Sequence, residues 1–248
     1  MNRRTAISTL ALAAAPAIAG PVGFKLPGIA WTPKSPGNLI WWVDASQITG
    51  ASNGDSLETW TDASASGWNL TQSTSSKRPT YQTGQINGKP VVRFDGVDDF
   101  MSNGSFAASQ PCTYFAVVKR TGGNPSYGFV FDNPADPNRQ SLVYTVGSTK
   151  WTIYAGSLVD ESGTTGAVFK SIQAVFNGAS SKIIVGGTST TVNPGSQNAS
   201  GGITMGALTT GSGFEFGGDV AEIGCYSSLL SDGDLAQLQA YLNAKYGL

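Results

Sequence analysis

The sequence contains no histidine, which removes the usual general base, the commonest zinc ligand and the histidine-activated serine and cysteine nucleophiles. Charged residues are also scarce, because they make up 12% of the 248 residues and leave a formal net charge of -1. Such a chain has no basic field that could hold a phosphate backbone. We therefore expect no nucleic-acid partner and no histidine-dependent catalysis.

Cysteine occurs only twice, at Cys112 and Cys225, and each lies inside an apolar run that predicts a strand. Free cysteine is among the most frequently buried residue types, which favours two reduced thiols in the core. A disulfide between the two remains an open alternative, because the sequence does not give the distance between them that this bond demands.

No apolar run predicts a membrane span, which needs about 20 apolar residues, and Pro16 interrupts the only candidate. The first 20 residues combine Arg3 and Arg4 with an apolar stretch and small residues, a pattern typical of a secretory signal, including the twin-arginine type. The alternative is a retained arm over residues 1–38. In that case a short helix precedes an extended, proline-rich strap that docks on a partner subunit.

Beyond the arm, residues 39–248 predict one all-β domain, a two-sheet antiparallel β-sandwich of the jelly-roll type. Short apolar runs alternate with turns rich in Gly, Asn, Asp, Ser and Pro, which favours about ten to thirteen short strands. The strands are predicted at Leu39 to Asp44, Val91 to Phe94, Cys112 to Lys119, Gly128 to Phe131, Ser141 to Val146, Trp151 to Ala155, Val168 to Asn177, Lys182 to Val185, Ile203 to Leu208 and Asp219 to Tyr226.

One short C-terminal helix completes the predicted fold. Ser231 suits the N-cap, Gly247 suits the end, and Leu235, Leu238 and Leu242 share one face.

Two further segments are interpreted from composition. The run from Tyr114 to Val118 is apolar on both faces and predicts a central strand, whereas the Ser/Thr/Gly-rich residues 187–202 predict a long loop. Trp41, Trp42 and Phe94 are assigned to the core.

Several motifs resemble the concanavalin A-like lectin/glucanase superfamily, in its laminin-G-like subset. The resemblance covers about residues 39–248. It is carried by Trp41-Trp42-Val43-Asp44-Ala45-Ser46, Trp60-Thr61-Asp62, Gly67-Trp68-Asn69, Arg78-Pro79-Thr80-Tyr81, the stretch from Asn87 to Phe100, Gly218 to Ile223, Leu230-Ser231-Asp232 and Tyr241 to Tyr246. The Arg of the family's usual Asn-Arg-Ala-Leu-Ser run is missing after Tyr226, where the chain has Ser-Ser-Leu-Leu-Ser.

The resemblance implies a lectin-like structural protein of a phage particle, such as a capsid decoration, fibre or tail component. In this interpretation residues 1–38 contact other virion proteins, the domain forms a homo-oligomer or lattice, and a host-surface glycan is its ligand. The alternative is a secreted or periplasmic bacterial carbohydrate-binding domain with a cleaved signal peptide. A second alternative is a glycoside hydrolase with an atypical site.

The residues predict no catalytic site. Glucanases of this superfamily resemble one another in a Glu-x-Asp-x-x-Glu strand, whereas this chain has four glutamates, Glu58, Glu161, Glu215 and Glu222, and none lies in that pattern. The nearest acid pairs, Asp160 with Glu161 and Asp219 with Glu222, point to opposite faces of a regular strand. We therefore expect a protein that is not an enzyme.

Asp95, Asp98 and Asp99 form the best metal candidate in the sequence. Three carboxylates within five residues of a glycine-containing turn offer hard oxygen ligands, which would suit calcium. The simpler interpretation is a turn in which these side chains accept hydrogen bonds from backbone N–H groups. No other cofactor is predicted.

The candidate ligand-binding residues are Tyr127, Asp132, Asn133, Trp151 and Tyr154. Sugar sites combine aromatic faces with hydrogen-bonding groups, and these residues lie in or near predicted loops, including the proline-stiffened loop 132–138. The alternatives are an ordinary surface loop for the polar residues and core or hairpin packing for the aromatic ones.

Overall fold

The computed structural model describes residues 30–134, 138–163, 167–208 and 213–248. The chain divides into two units, Met1–Ala30 and Trp31–Leu248, and all the elements below belong to the second unit. The predicted signal or N-terminal helix therefore lies outside the described residues. Among the described residues, no helix is both long and apolar enough to cross a membrane.

In the part of the chain that the structure describes, two antiparallel sheets of eight strands each form the body of the protein, which confirms the predicted all-β sandwich. Sheet A contains β1 (Leu39–Asp44), β4 (Thr80–Ile86), β5 (Lys89–Asp95), β7 (Cys112–Gly123), β12 (Lys170–Phe176), β13 (Ser181–Val185), β14 (Thr188–Val192) and β16 (Phe216–Tyr226). Sheet B contains β2 (Thr59–Trp60), β3 (Leu70–Thr71), β6 (Met101–Asn103), β8 (Tyr127–Asp132), β9 (Ser141–Thr145), β10 (Lys150–Tyr154), β11 (Leu158–Asp160) and β15 (Ile203–Met205).

The strand order is not the chain order. Sheet A runs β14-β13-β12-β7-β16-β5-β4, and β1 also pairs with β16, while sheet B runs β11-β10-β9-β8-β15-β6-β3-β2. The main core fills the space between the sheets, where Tyr114 of sheet A stacks on Phe131 of sheet B with ring centroids 4.7 Å apart. Trp41, Trp42 and Phe94 are buried, as predicted.

A second apolar cluster lies on the outer face of sheet A, under helix α1 (Asp232–Tyr246). The helix begins where the Ser231 side chain accepts the Asp234 N–H and ends at Gly247, whose φ of 69° is left-handed. Leu235, Leu238 and Leu242 are buried against that face. The strand β7 is therefore covered on both sides, which confirms the prediction for Tyr114 to Val118.

Two sequence predictions about the strands were wrong. The described residues form sixteen strands rather than ten to thirteen, and strands as short as Thr59–Trp60 carry too little periodicity to be recognised in the sequence. Residues 187–202 are not all loop, since Thr188–Val192 forms β14 against β13. Gly186 and Gly187 both have positive φ and form the tight hairpin turn, and the threonines that follow suit a strand at the end of a sheet.

Candidate functional site

A cleft of about 610 Å³ lies at the edge of the two sheets, where β11 of sheet B approaches β14 of sheet A. We call it the Tyr127 cleft. Its lining combines one aromatic ring with hydroxyl, amide, carboxylate and aliphatic groups, from Tyr127, Thr145, Leu158, Val159, Asp160, Thr190, Thr191, Val192 and Asn193. Neither lysine nor arginine is among these lining residues.

Strand register places the polar groups of the cleft on one face. Tyr127 of β8 pairs directly with Thr145 of β9. On the next two strands of the sheet, Thr152 of β10 pairs with Asp160 of β11. The neighbouring residue Trp151 points the other way into the main core, and Val159 packs against that core while also lining the cleft. Because successive side chains of a strand alternate between faces, this register turns Tyr127, Thr145 and Asp160 outward together.

The side chains of the cleft are held by hydrogen bonds and ring packing. The Thr145 and Thr152 hydroxyl oxygens are 2.7 Å apart, and the Thr152 hydroxyl donates to Asp160 Oδ1. The half-buried ring of Tyr127 packs edge-on against Phe214, with centroids 5.5 Å apart. The aromatic and carboxylate groups are therefore fixed before any ligand arrives, which lowers the entropic cost of binding.

Three of the other predicted ligand residues lie together at the base of loop 132–138. Asp132 and Asn133 are completely buried. Asp132 is paired with Arg139 at 3.0 Å, and the Asn133 amide donates to the Gly202 carbonyl at 2.7 Å. The Arg139 guanidinium also lies over the half-buried ring of Tyr154, 5.3 Å from its centroid. These buried polar contacts hold the base of the loop in place.

Trp151, the fifth predicted ligand residue, belongs to the main core. Its side chain is 1% exposed and packs edge-on against Tyr144, with centroids 5.0 Å apart. The ring face is therefore not available to a ligand in this structure. Only Tyr127 of the five candidates lines the Tyr127 cleft, and the sequence reasoning missed its partners Thr145, Asp160, Thr190, Thr191 and Asn193.

The acidic turn after β5 brings Asp95, Asp98 and Asp99 together, with one carboxylate oxygen of each within 4.8 Å of the others. Asp95 Oδ1 accepts the Val97 N–H at 2.8 Å, and Asp99 Oδ2 accepts the Asp95 N–H at 2.9 Å, so the hydrogen-bonded turn is formed. Burial raises the pKa of Asp99 to about 7, opposed by the Asp95 N–H and reinforced by the Asp95 and Asp98 carboxylates. Calcium binding by these oxygens remains a prediction.

A buried ionic cluster that the sequence did not predict joins helix α1 to sheet A. Lys245 Nζ lies 2.6 Å from Asp44 Oδ2 and 2.7 Å from Glu222 Oε2. The Tyr246 hydroxyl and the Trp42 indole N–H also donate to Glu222, at 2.7 Å and 2.8 Å. Burial raises the pKa of Glu222, whereas Lys245 opposes that shift. The side chain of Glu222 is completely buried, so the cluster serves as an anchor for the helix.

A regular strand would turn Asp219 and Glu222 to opposite faces, but β16 is irregular between these two residues. Val220 pairs with Val118 and Glu222 with Val117, so Ala221 is the extra residue of a β-bulge. The bulge turns both carboxylates to the outer face of sheet A. Asp219 is neutralised there by Arg93 at 2.6 Å and Lys119 at 3.1 Å.

Cys112 and Cys225 are both buried free thiols, in agreement with the reduced-thiol interpretation. The Cys112 thiol donates to Gln140 Oε1 at 3.3 Å. Burial, together with the neighbouring Cys112, raises the pKa of the Cys225 thiol well above its ordinary value. Both thiols are buried in the core, so neither is accessible to a substrate in the folded protein.

No family model and no curated protein matches the chain. Solved structures match its fold. The Trypanosoma rangeli sialidase in complex with sialic acid has a TM-score of 0.53 at 12% identity, over 84% of this chain and 33% of the sialidase. An arabinofuranosidase complexed with arabinofuranosyl-alpha-1,2-xylobiose has a TM-score of 0.55 at 15% identity, over 77% of this chain and 51% of that enzyme.

The binding domain of botulinum neurotoxin serotype D is also similar, with a TM-score of 0.55 at 10% identity, over 82% of this chain and 51% of that domain. This chain thus spans about a third of the sialidase and about half of the other two proteins. At these identities the likeness shows a shared β-sandwich fold.

These comparisons correct the prediction that the protein is not an enzyme. Similar structures come from a sialidase and an arabinofuranosidase, so this fold occurs in proteins that hydrolyse glycosides. The missing Glu-x-Asp-x-x-Glu pattern excludes one arrangement of catalytic acids and does not exclude catalysis in general. The compared structures give no support to a phage or virion setting.

Proposed function

We propose that the protein binds carbohydrate in the Tyr127 cleft. The observation that carries this proposal is the Tyr127 ring, half-buried and braced by Phe214, beside the polar groups of Thr145, Asp160 and Asn193 in one cleft. Sugars present both an apolar ring face and a rim of hydroxyls. A site with one aromatic face and several fixed donors and acceptors suits both parts.

The size of the cleft and the fold comparisons support this proposal. A volume of about 610 Å³ is within the range of small-ligand sites and has room for one or two sugar units. Two of the similar structures were solved with sialic acid and with an arabinofuranosyl-xylobiose, which makes carbohydrate the ligand class of choice for a first search.

The charge of the cleft favours neutral glycans over anionic ones. Among the described residues that line the cleft, Asp160 is the only charged one. A sugar carboxylate or sulfate in the cleft would meet this negative charge with no cation to offset it, and the repulsion is stronger where water is partly excluded. We therefore propose that neutral glycans are the ligands, although one of the similar structures contains sialic acid.

Glycan-array screening followed by calorimetry tests the proposal. The Tyr127→Ala variant should weaken binding of the best glycan at least tenfold, because stacking of the sugar on the aromatic ring is lost while the strand remains. Thr191→Val should also weaken binding, by about threefold to tenfold, because a hydroxyl partner of the ligand is removed. Retained binding in both variants would contradict the proposal.

The matched control is Thr188→Val, which makes the same change at an exposed position of the same strand outside the cleft. It should leave the affinity unchanged. Tyr154→Ala separates the two candidate locations, since a loss in that variant alone would place the glycan at loop 132–138. Each glycan that binds is also assayed for release of monosaccharides, which detects catalysis.

We propose a secreted or periplasmic location for this carbohydrate-binding protein. The first 20 residues have the composition of a secretory signal, and the virion alternative has no support from the compared structures. N-terminal sequencing of protein isolated from its native host tests this proposal. A chain that begins near residue 20 would support export, and a chain that retains Arg3 and Arg4 on virions would support the alternative.

A further inference from the structure

We propose that Lys245 and Asp44 react with each other inside the folded protein to form an isopeptide bond, an amide between their side chains, with Glu222 as the group that transfers the proton. The three residues belong to the buried ionic cluster between helix α1 and sheet A. Lys245 comes from the helix, Asp44 from the end of β1 and Glu222 from β16. The bond joins residues 201 positions apart and closes most of the sandwich into one covalent loop.

The amine and the carboxyl group are already in contact. Lys245 Nζ lies 2.6 Å from Asp44 Oδ2 and 2.7 Å from Glu222 Oε2, so the nitrogen contacts both the group that it acylates and a proton acceptor. The exposed fractions of the Lys245, Asp44 and Glu222 side chains are 14%, 3% and 0%. Groups that the fold holds in contact react without an encounter step, which removes much of the entropic barrier. The cluster therefore meets the positional demand of amide formation.

The second oxygen of Asp44 is bound by fixed donors. Asp44 Oδ1 accepts the Ser46 N–H at 2.9 Å and the Ser46 hydroxyl at 2.7 Å. These donors belong to the short 3₁₀ turn Ala45–Gln47, which directly follows β1. Negative charge develops on a carboxyl oxygen when an amine attacks the carbon, and donors fixed in advance stabilise that charge. Ser46 therefore stabilises the tetrahedral intermediate of this reaction.

Glu222 is held in one position by three further donors. The Tyr246 hydroxyl donates to Oε2 at 2.7 Å, and the Trp42 indole N–H and the Tyr241 hydroxyl donate to Oε1 at 2.8 Å and 3.1 Å. Burial raises the pKa of Glu222, so this carboxylate accepts a proton more readily than an exposed one. The charge of Lys245 opposes that shift, and this opposition ends once the amine is neutral.

The reaction balances without an external reagent. Lys245 Nζ gives one proton to Asp44 Oδ2, which leaves a neutral amine beside a neutral carboxylic acid. The nitrogen lone pair attacks Asp44 Cγ to form the C–N bond, and the nitrogen passes a second proton to Glu222. The charge on Oδ1 then returns to form the amide carbonyl while the Cγ–Oδ2 bond breaks. Glu222 gives its proton to Oδ2, which departs as water, and Glu222 is again a carboxylate.

The surroundings of the cluster favour the amide over its hydrolysis. The rings of Tyr241 and Tyr246 lie beside Lys245 Nζ, with centroids 5.4 Å and 5.0 Å away, and limit the access of water. Buried charges are costly to hold, and the amide replaces an ammonium group and a carboxylate by one neutral group. Bond formation therefore relieves part of the desolvation cost of the ionic cluster.

A second buried carboxylate provides an internal comparison. Lys119 Nζ lies 3.1 Å from Asp219, whose side chain is also completely buried. Arg93 binds both oxygens of that carboxylate, at 2.6 Å and 3.0 Å, and a guanidinium keeps its charge. Among the described residues, Lys119 has no second carboxylate within ion-pair distance that could take its proton. We therefore expect no bond between Lys119 and Asp219.

Mass spectrometry of the folded full chain, kept at pH 7, tests the proposal. The intact mass should be lower than the sequence mass by one water molecule. A tryptic digest should contain one branched peptide that joins Asp44 to Lys245, and trypsin should not cleave after Lys245, because its ammonium group is gone. An intact mass equal to the sequence mass, with separate Asp44 and Lys245 peptides, would overturn the proposal. A branched peptide from Lys119 and Asp219 would overturn the stated need for a proton acceptor.

Two variants assign the loss of water to these residues. Lys245→Arg keeps the positive charge and has no nucleophilic amine, so the loss of water should disappear. If the loss persists there, another reaction such as cyclisation at Asp95 is its source and the proposal fails. Glu222→Gln keeps an acceptor for the Trp42 N–H and should slow bond formation at least tenfold, with the fold checked by circular dichroism. An unchanged rate in this folded variant refutes the role of Glu222, and the digest of the native chain decides the bond even if neither variant folds.

Discussion

Lys245 Nζ lies 2.6 Å from Asp44 Oδ2, although the two residues are 201 positions apart in the chain. The contact joins the last turn of helix α1 to the end of β1, and the same ammonium group reaches Glu222 of β16 at 2.7 Å. One cation thus neutralises two buried carboxylates from adjacent strands. The helix is held on sheet A by charge as well as by its leucine face.

Replacing Lys245 with methionine should destabilise the protein by about 3–5 kcal/mol at pH 7, because two buried carboxylates would lose the one cation that pairs with them among the described residues. Urea unfolding measures the change. The variant should regain stability as the pH falls, since protonation of Glu222, whose pKa burial already raises, removes one of the charges. Lys182→Met is the control, and loss of its exposed pair should cost less than about 1 kcal/mol. Equal losses in the two variants would contradict the anchoring role.

Gly206→Ala should destabilise the fold by about 1–3 kcal/mol or more, from overpacking and backbone strain together. Gly206 has a φ of +90°, and a Cβ atom there would lie 2.3 Å from Phe94 Cδ1 and 2.8 Å from the Asp99 carbonyl oxygen. Gly147→Ala is the control, since no atom lies within 4 Å of its Cβ position. Thermal unfolding compares the two variants, and similar melting temperatures would refute the close packing at Gly206.

Asp99 should make the protein less stable as the pH rises. Burial raises the pKa of Asp99 from 3.8 to about 7 in the folded state. The contribution of Asp99 to the free energy of unfolding is therefore fully present below about pH 3.8 and is lost as the pH rises through about 7. Asp99→Asn should flatten this part of the profile, measured by thermal unfolding between pH 4 and pH 8 in the presence of a chelator. Asp232→Asn, at a 93% exposed side chain, should leave the profile unchanged.

The same profile tests the calcium prediction. A cation bound by Asp95, Asp98 and Asp99 would stabilise the charged carboxylates, so adding calcium at pH 8 should raise the melting temperature of the native protein and not that of Asp99→Asn. If calcium gives the same melting temperature as the chelator, the acidic turn is held by its backbone hydrogen bonds alone.

Asp160→Asn should widen the ligand range of the Tyr127 cleft. The amide oxygen of asparagine can still accept the Thr152 hydroxyl, so the strand should keep its geometry while the charge is removed. We expect affinity for anionic glycans to rise by about threefold to tenfold at low salt and affinity for neutral glycans to change little. Calorimetry at two salt concentrations measures both. Asp55→Asn, an exposed carboxylate outside the cleft, should have neither effect.

The sequence by itself was sufficient for the features that depend on local patterns. Ser231 and Gly247 bound the helix because capping depends on residues within one turn. The apolar run from Tyr114 to Val118 indicated a strand covered on both faces, since side chains alternate strictly along a strand. The acidic turn at Asp95 was likewise predictable, because its hydrogen bonds join residues at most four positions apart.

Only the tertiary structure decided which side chains share a cleft or an ion pair. The single extra residue Ala221 reverses the face on which Glu222 lies, and no local sequence pattern predicts that bulge. Tyr127 and Trp151 were both candidates from the sequence, but only the fold placed Tyr127 beside Thr145 in a cleft between β11 and β14 and turned Trp151 into the core. Such choices depend on which distant strands pair and in which register. The packing of both sheets and helix α1 fixes that pairing, and composition and periodicity along the chain do not encode it in any single segment.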